Sequence, residues 1–165
     1  MNITLRTAAV SDRDELYAVI DANREHLTNL VWAKSATRVS TEKFLASVPS
    51  TETLKVILLD GRIVGMITLR KEQHRFQSIG YWLAHDVRRQ GIMTQAVKQI
   101  LLTVPKNHFV EAHVRKNNVA SQKVLEANGF THDFVDISHD GKEWLDVWVY
   151  KSANGFFKRL LNRLK

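Results

Sequence analysis

The chain opens on an alternating run, Ile3-Thr4-Leu5-Arg6. Successive side chains of a strand point to opposite faces, so this period predicts a first strand. Ser11 follows with Asp14 three residues on, a helix-start pattern. Leu16, Ile20 and Leu27 then recur at roughly helical spacing, with Val19 beside them. A weaker helix is predicted over Ser40 to Ser47, stopped by Pro49. The apolar run Leu54 to Leu59 predicts a strand, Asp60-Gly61 a tight hairpin turn, and Arg62 to Leu69 the returning strand. Phe76 to Leu83, rich in aromatic and β-branched residues, is a further strand beyond a polar turn from Lys71 to Arg75. The period then lengthens. Ile92, Ala96 and Ile100 share one face, flanked by Met93, Val97 and Leu101, which predicts an amphipathic helix running to Pro105. Phe109 to Val114 is a short strand. Asn117-Asn118 opens a helix through Val124 and Leu125, and Asn128-Gly129 closes it. Phe130 to Ile137 and Trp144 to Tyr150 form a last hairpin around Asp140-Gly141.

This order gives an α/β domain with a mixed sheet. No repeat or low-complexity linker interrupts it, so a single domain over 1–152 is expected. Beyond it, 153–165 reads as a basic amphipathic C-terminal helix or tail. There Phe156, Phe157, Leu160, Leu161 and Leu164 alternate with Lys158, Arg159, Arg163 and Lys165. Such a segment suits an anionic membrane, ribosomal RNA, or its own domain, and the sequence leaves all three open.

Composition narrows the class. With 44% hydrophobic residues, a chain of 165 residues can bury a proper single core. No apolar run approaches a membrane span, and the first residues lack the apolar stretch of a secretory signal. Cysteine is absent, which excludes disulfides and cysteine catalysis. A cytoplasmic location is the expectation. Lysine and arginine number 24 against 17 acids, a formal charge of +7. That excess favours polyanionic partners such as ribosomes, nucleotides or acidic membranes, or serves solubility plus a few phosphate contacts.

The informative chemistry lies where the strand Ile79-Gly80-Tyr81-Trp82-Leu83 runs through Ala84 to Val87 into Arg88-Arg89-Gln90-Gly91-Ile92-Met93-Thr94. A strand ends, a basic loop follows and a helix begins. A helix N-terminus offers unpaired N–H groups and partial positive charge, which suit a pyrophosphate. Gly91 permits close approach of the backbone, Arg88 and Arg89 add charge, and the Thr94 hydroxyl lies in the first turn. Neither the Walker spacing nor the three-glycine Rossmann fingerprint is present. By itself the loop also fits an ordinary basic strand-to-helix turn.

The loop resembles motif A of the GNAT acetyltransferase superfamily, Q/R-x-x-G-x-G/A. Arg88 and Gly91 match its first and fourth positions, and Met93 departs from the usual small final residue. Gly91-Ile92-Met93-Thr94, with the upstream Ile-Gly-Tyr-Trp-Leu, is similar to one branch. That branch holds the ribosomal-protein N-terminal acetyltransferases that modify serine or alanine. Leu16 to Leu27 resembles its first helix. Asn118, Ser121 and Asn128-Gly129-Phe130 match its N-x-x-S and x-G-F pattern, and Asp140-Gly141 with Asp146 and Tyr150 its closing hairpin.

The resemblance implies a GNAT (acyl-CoA N-acyltransferase) fold: a mixed, mostly antiparallel twisted sheet flanked by helices. Its parallel central strands, here Phe76 to Leu83 and Phe109 to Val114, would splay to hold acetyl-CoA. It implies that the pantetheine arm pairs with backbone near Trp82 and Leu83. The pyrophosphate would sit on Arg89, Gln90, Gly91, Ile92, Met93 and Thr94 beside Arg88. The Leu83 N–H would polarise the thioester carbonyl, and an amine would attack directly. Related enzymes often protonate the leaving thiolate with a tyrosine. This helix has none, and Ser121 is its matching hydroxyl, better suited to a hydrogen bond than to full proton transfer.

Several residues carry two readings. Asn118 caps its helix or contacts the cofactor or an ordered water, or both. Lys123 is solvated or reaches a CoA phosphate. His85, Asp86, Glu111 and His113 are all candidate bases, with no diagnostic spacing among them. The seven histidines show no metal-ligand pattern, H-E-x-x-H being absent, so no metal is expected. The acceptor is expected to be a protein N-terminus or a small amine, with the ribosome a further contact and the protein a monomer or homodimer. Leu27 to Val48, which contains Trp32, Lys34 and Arg38, should shape the acceptor side. It lacks the acidic cluster that a polycationic aminoglycoside would call for. A small-molecule or antibiotic acetyltransferase, and a basic ribosome- or RNA-binding module without turnover, are the competing readings.

Overall fold

The computed structural model describes residues 1–28, 30–138, 141 and 143–152. Its elements run β1 (Ile3–Thr7), α1 (Arg13–Ala22), α2 (Val31–Lys34), α3 (Arg38–Ala46), β2 (Glu52–Leu59), β3 (Arg62–Lys71) and β4 (Phe76–Leu83). They continue with α4 (Ile92–Leu101), β5 (Phe109–Arg115), α5 (Val119–Ala127), β6 (Thr131–Ile137) and β7 (Trp144–Lys151). The seven strands form one sheet in the order β1-β2-β3-β4-β5-β7-β6. Every neighbouring pair is antiparallel except β4 and β5, which are parallel.

Local chemistry explains most of the boundaries. The β2–β3 turn needs two left-handed residues, and Asp60 (φ 49°) and Gly61 (φ 86°) supply them. Gly129 (φ 79°) ends the α5 segment in the same region. Three expectations change. Ser11 does not start the first helix: a 3-10 turn, Val10–Asp12, precedes α1. Asp12 does the anchoring there, accepting from the Ala9 N–H at 2.8 Å and from Arg6 at 2.7 and 2.9 Å. Leu27 is buried, but from irregular chain beyond α1. The α4 helix stops at Leu101 and tightens through Leu102, Thr103 and Val104, each bonded three residues back, before Pro105.

The helices cover both faces of the sheet. On one, Ile92, Ala96, Val97 and Ile100 of α4 meet Ile57, Ile67, Ile79, Val110 and Leu125. On the other, Leu16 and Ile20 of α1 and Leu45 of α3 meet Leu54, Val56, Met66 and Trp82. The last two strands form the expected hairpin, yet β7 lies inside the sheet and β6 at its edge. Burial accounts for this. Val147 is fully buried in β7, whereas β6 carries His132, Asp133 and Asp136 and is largely exposed, as suits an edge. Asp140 of the predicted turn and the tail 153–165 fall outside the described residues. Among the described residues no helix is long and apolar enough to cross a membrane.

One irregularity positions the site. The parallel pair joins only Phe76, Gln77 and Ser78 to Phe109, Val110 and Glu111. Beyond Ser78 the strands part, and among the described residues β4 from Ile79 to Leu83 has no strand partner on that side.

Candidate active site

The unpaired edge of β4 is selective about what it offers. The Ala84 N–H bonds the Val64 carbonyl at 2.8 Å, and Trp82 stands opposite Met66. Backbone polar groups alternate sides along a strand, so Tyr81 and Leu83 turn theirs into the gap. The Leu83 carbonyl already accepts from Arg88 Nε and Nη2, both at 3.3 Å. Its N–H still faces the gap, as do the N–H and carbonyl of Tyr81. The backbone polar groups of Trp82 face β3, and its side chain is buried on the α1/α3 face.

At the end of this edge the chain forms a cradle. Gly91 adopts φ 73° and ψ 3° as the N-cap of α4, and a Cβ built there meets nothing within 4 Å. The first intrahelical bond runs from the Gln95 N–H to the Gly91 carbonyl at 3.0 Å, so the amides of Ile92, Met93 and Thr94 precede the ladder. The side chains of Ile92 and Met93 are buried in the core beneath. Met93 thus does not narrow the cradle, although it departs from the small residue of motif A. Free amides, helix dipole and open space together fit a pyrophosphate. Arg89 (φ 62°) and Gln90 are exposed beside it. Arg88 instead turns inward and also reaches the His26 carbonyl at 3.3 Å.

The cradle is bolted to the segment after α1. The rings of His26 and His85 stack at 3.7 Å and 13°, and the His85 N–H donates to Asn23 Oδ1 at 2.7 Å. Proximity of His26, then burial, then Arg88 and Arg89 hold the His85 imidazole below its ordinary pKa. The stack and the hydrogen bond to Asn23 make His85 a packing partner of the loop.

Ser121 lies across the gap on α5. Its hydroxyl is 2.8 Å from that of Tyr81, a strand residue forty positions earlier. Burial pushes the Tyr81 phenol up to about 12, although the hydrogen bond to Ser121 works the other way. Asn118 performs its capping role, Oδ1 accepting from the Ser121 N–H at 3.2 Å. Lys123 is exposed, two residues from Ser121 and so about 200° away around the helix. Tyr81 is the residue of this site that sequence reasoning passed over. Strand alternation is the signal that finds it, because Tyr81 shares a face with Leu83 and opposes Trp82.

The candidate bases separate. Val110, Ala112 and Val114 pack on the α4 core, so Glu111 and His113 project from the opposite face of β5. Glu111 stands at the last paired rung, opposite Ser78, with 5% of its surface exposed. His113 Nε2 lies 3.7 Å from its Oε2. Asp86, by contrast, is exposed on the loop after β4. On the face of Glu111 a cavity of about 530 Å³ opens beside Gly80, Tyr81 and Trp82.

The sequence profile described as "Acetyltransferase (GNAT) domain" matches residues 2–131. The chain belongs to this family. It is an acetyl-CoA acetyltransferase of the GNAT type. No curated protein matches the chain significantly in sequence. Among solved structures, the RimL ribosomal L7/L12 α-N-protein acetyltransferase in complex with coenzyme A is similar at 18% identity and TM-score 0.83, covering 92% of this chain and 95% of that one. RimJ of Mycobacterium smegmatis in complex with CoA-disulfide shares 26% identity at TM-score 0.75, over 89% and 79%. The aminoglycoside acetyltransferase AAC(6')-Ib in complex with coenzyme A shares 20% at TM-score 0.75, over 91% and 95%. The fold is thus common to enzymes with very different acceptors.

For this GNAT domain the hydroxyl pair gives a first prediction. Ser121→Ala should lower kcat by about 10- to 100-fold with little change in CoA affinity, the range for a weak general acid or hydrogen-bond donor. Tyr81→Phe, which leaves Ser121 in place, should cost less. Single-turnover rates with CoA titrations read both. A fully active Ser121→Ala enzyme would assign thiolate protonation to solvent.

Proposed function

We propose that this GNAT protein moves an acetyl group from acetyl-CoA to the α-amine of a protein or peptide, ribosomal proteins being the favoured class. The observation that carries this reading is the fork between β4 and β5. It has a phosphate cradle at one end and a buried carboxylate, Glu111, at its last rung on the opposite face. Acetyl-CoA supplies the activated thioester. The amides of Ile92, Met93 and Thr94, with Arg89 and Gln90, hold the phosphates, and the Leu83 N–H donates to the reacting carbonyl. Ser121, backed by Tyr81, donates a hydrogen bond to the departing sulfur. Glu111, with His113 beside it, takes the proton of the incoming ammonium.

The acceptor follows from the modest basicity of this apparatus. An α-amine has a reference pKa about 2.5 units below lysine, so its free-base fraction near neutrality is roughly 300-fold greater. One carboxylate suffices for it. The formal charge of +7 helps the enzyme meet a ribosome and repels free polycations. The test is a competition between two peptides of equal sequence, one with a free N-terminus and blocked lysine, the other blocked at the N-terminus with lysine free. Mass spectrometry should find acetyl on the first. Preferential acetylation of the second would refute the assignment. Reaction of a small amine but of neither peptide would transfer it to a small-molecule acceptor.

A further inference from the structure

We infer that the cavity on the α1/α3 face is a side-chain subsite that selects N-terminal residues with a large aliphatic or aromatic side chain, over serine or alanine. The inference rests on the α-amine reading above and specifies its acceptor.

The cavity holds about 530 Å³, well inside the range of about 300–1,000 Å³ for small-ligand sites. Leu16 and Ile20 of α1, Trp32 of α2, Phe44 of α3, Met66 of β3 and Trp82 of β4 wall it. The Trp32 and Trp82 rings meet edge to face, 6.5 Å apart at 62°. Trp32 is 45% exposed and Phe44 40%, two large rings left partly in water at the cavity's edge. Covering them with apolar surface is favourable, and a group too small to reach them forgoes those contacts. A serine or alanine side chain is of that kind.

Charge points the same way. Among the described lining residues only Glu52 and Arg70 are ionised, and they pair with each other at 3.0 Å. The cavity therefore presents no surplus carboxylate to a polycation. Its placement joins it to the reaction. It follows β3 and β4 from the Met66–Trp82 rung, past Thr68 and Gly80, to Arg70. Tyr81 and Trp82 at its floor precede Leu83, whose N–H faces the fork, and Glu111 lies on the same face of the sheet. A side chain seated here leaves its own α-amine at the fork.

The experiment uses the full chain, acetyl-CoA and matched peptides that differ only in the first residue: serine, alanine, leucine, methionine or phenylalanine. Leucine, methionine or phenylalanine should give kcat/KM at least about tenfold above serine and alanine, the scale of discrimination by apolar pockets. Thr68→Trp fills the middle of the cavity and should reverse that order. Phe44→Ala, which removes a wall, should flatten it, and serves if the first variant does not fold. Equal or better use of serine and alanine overturns the subsite and leaves the α-amine reading standing. If no peptide is acetylated, the α-amine reading falls. Calorimetric binding of leucine- and serine-initiated peptides to the CoA-loaded protein then decides the cavity, and equal affinities overturn it.

Discussion

Gly91→Val should fold and lose its affinity for coenzyme A. The backbone at Gly91 sits at φ 73°, where an L-residue pays roughly 1–2 kcal/mol and a β-branched one more. For a domain of this size such a cost lowers Tm by only several degrees. No described atom lies within 4 Å of the Cβ position, so a side chain there starts in open space. The added atoms project from the turn that must lie close to the phosphates, and they disturb the amides of Ile92 and Met93 that follow. A loss of about 2.7 kcal/mol in binding is a 100-fold rise in Kd, and at least that is expected. Gly91→Ala carries the strain with a single methyl and should lie between. Calorimetry gives the affinities, and thermal melts with and without CoA give an independent check, since a ligand raises the midpoint only where it binds the folded state. A folded Gly91→Val protein with wild-type CoA affinity would remove the cradle from the mechanism.

What the sequence conveys about this site depends on range. The bounds of β4 and the loop from Arg88 to Thr94 follow from local period and a helix-start geometry that a few neighbouring residues encode, and they match the structure closely. The place of β7 between β5 and β6 does not. It depends on which strand best covers the β5 edge, a comparison between segments far apart in the chain. The Tyr81–Ser121 contact is similarly long-range, so a helix without a tyrosine of its own gives no sign of the phenol beside it. Arg88 illustrates a local competition. Its charge suggests a phosphate ligand, while in the structure its donors bond the carbonyls of Leu83 and His26. The four-residue α2 has too little length for a periodic signal, although it carries Trp32 to the cavity wall.

Glu111→Gln should reduce kcat/KM about 100-fold at neutral pH, within the usual range for loss of a general base. The substitution keeps the size of a side chain that is 5% exposed, and removes its charge and its ability to take a proton. The pH dependence separates this role from a structural one. An α-amine with a reference pKa of about 7.7–8.0 is largely ammonium at pH 6 to 7. There the wild type removes the proton at the site, while the variant must wait for free amine from solution. The free-amine fraction climbs about tenfold per pH unit until it approaches that pKa, so the variant's deficit should shrink steadily and be small by about pH 9. His113 Nε2 lies 3.7 Å from the Glu111 carboxylate, and His113→Gln provides the control for its share. If Glu111 merely braces β5 against its neighbours, the ratio of wild type to variant stays flat from pH 6 to 9 and the thermal midpoint falls instead. A flat ratio would therefore hand proton removal to water, which an α-amine tolerates far better than a lysine does.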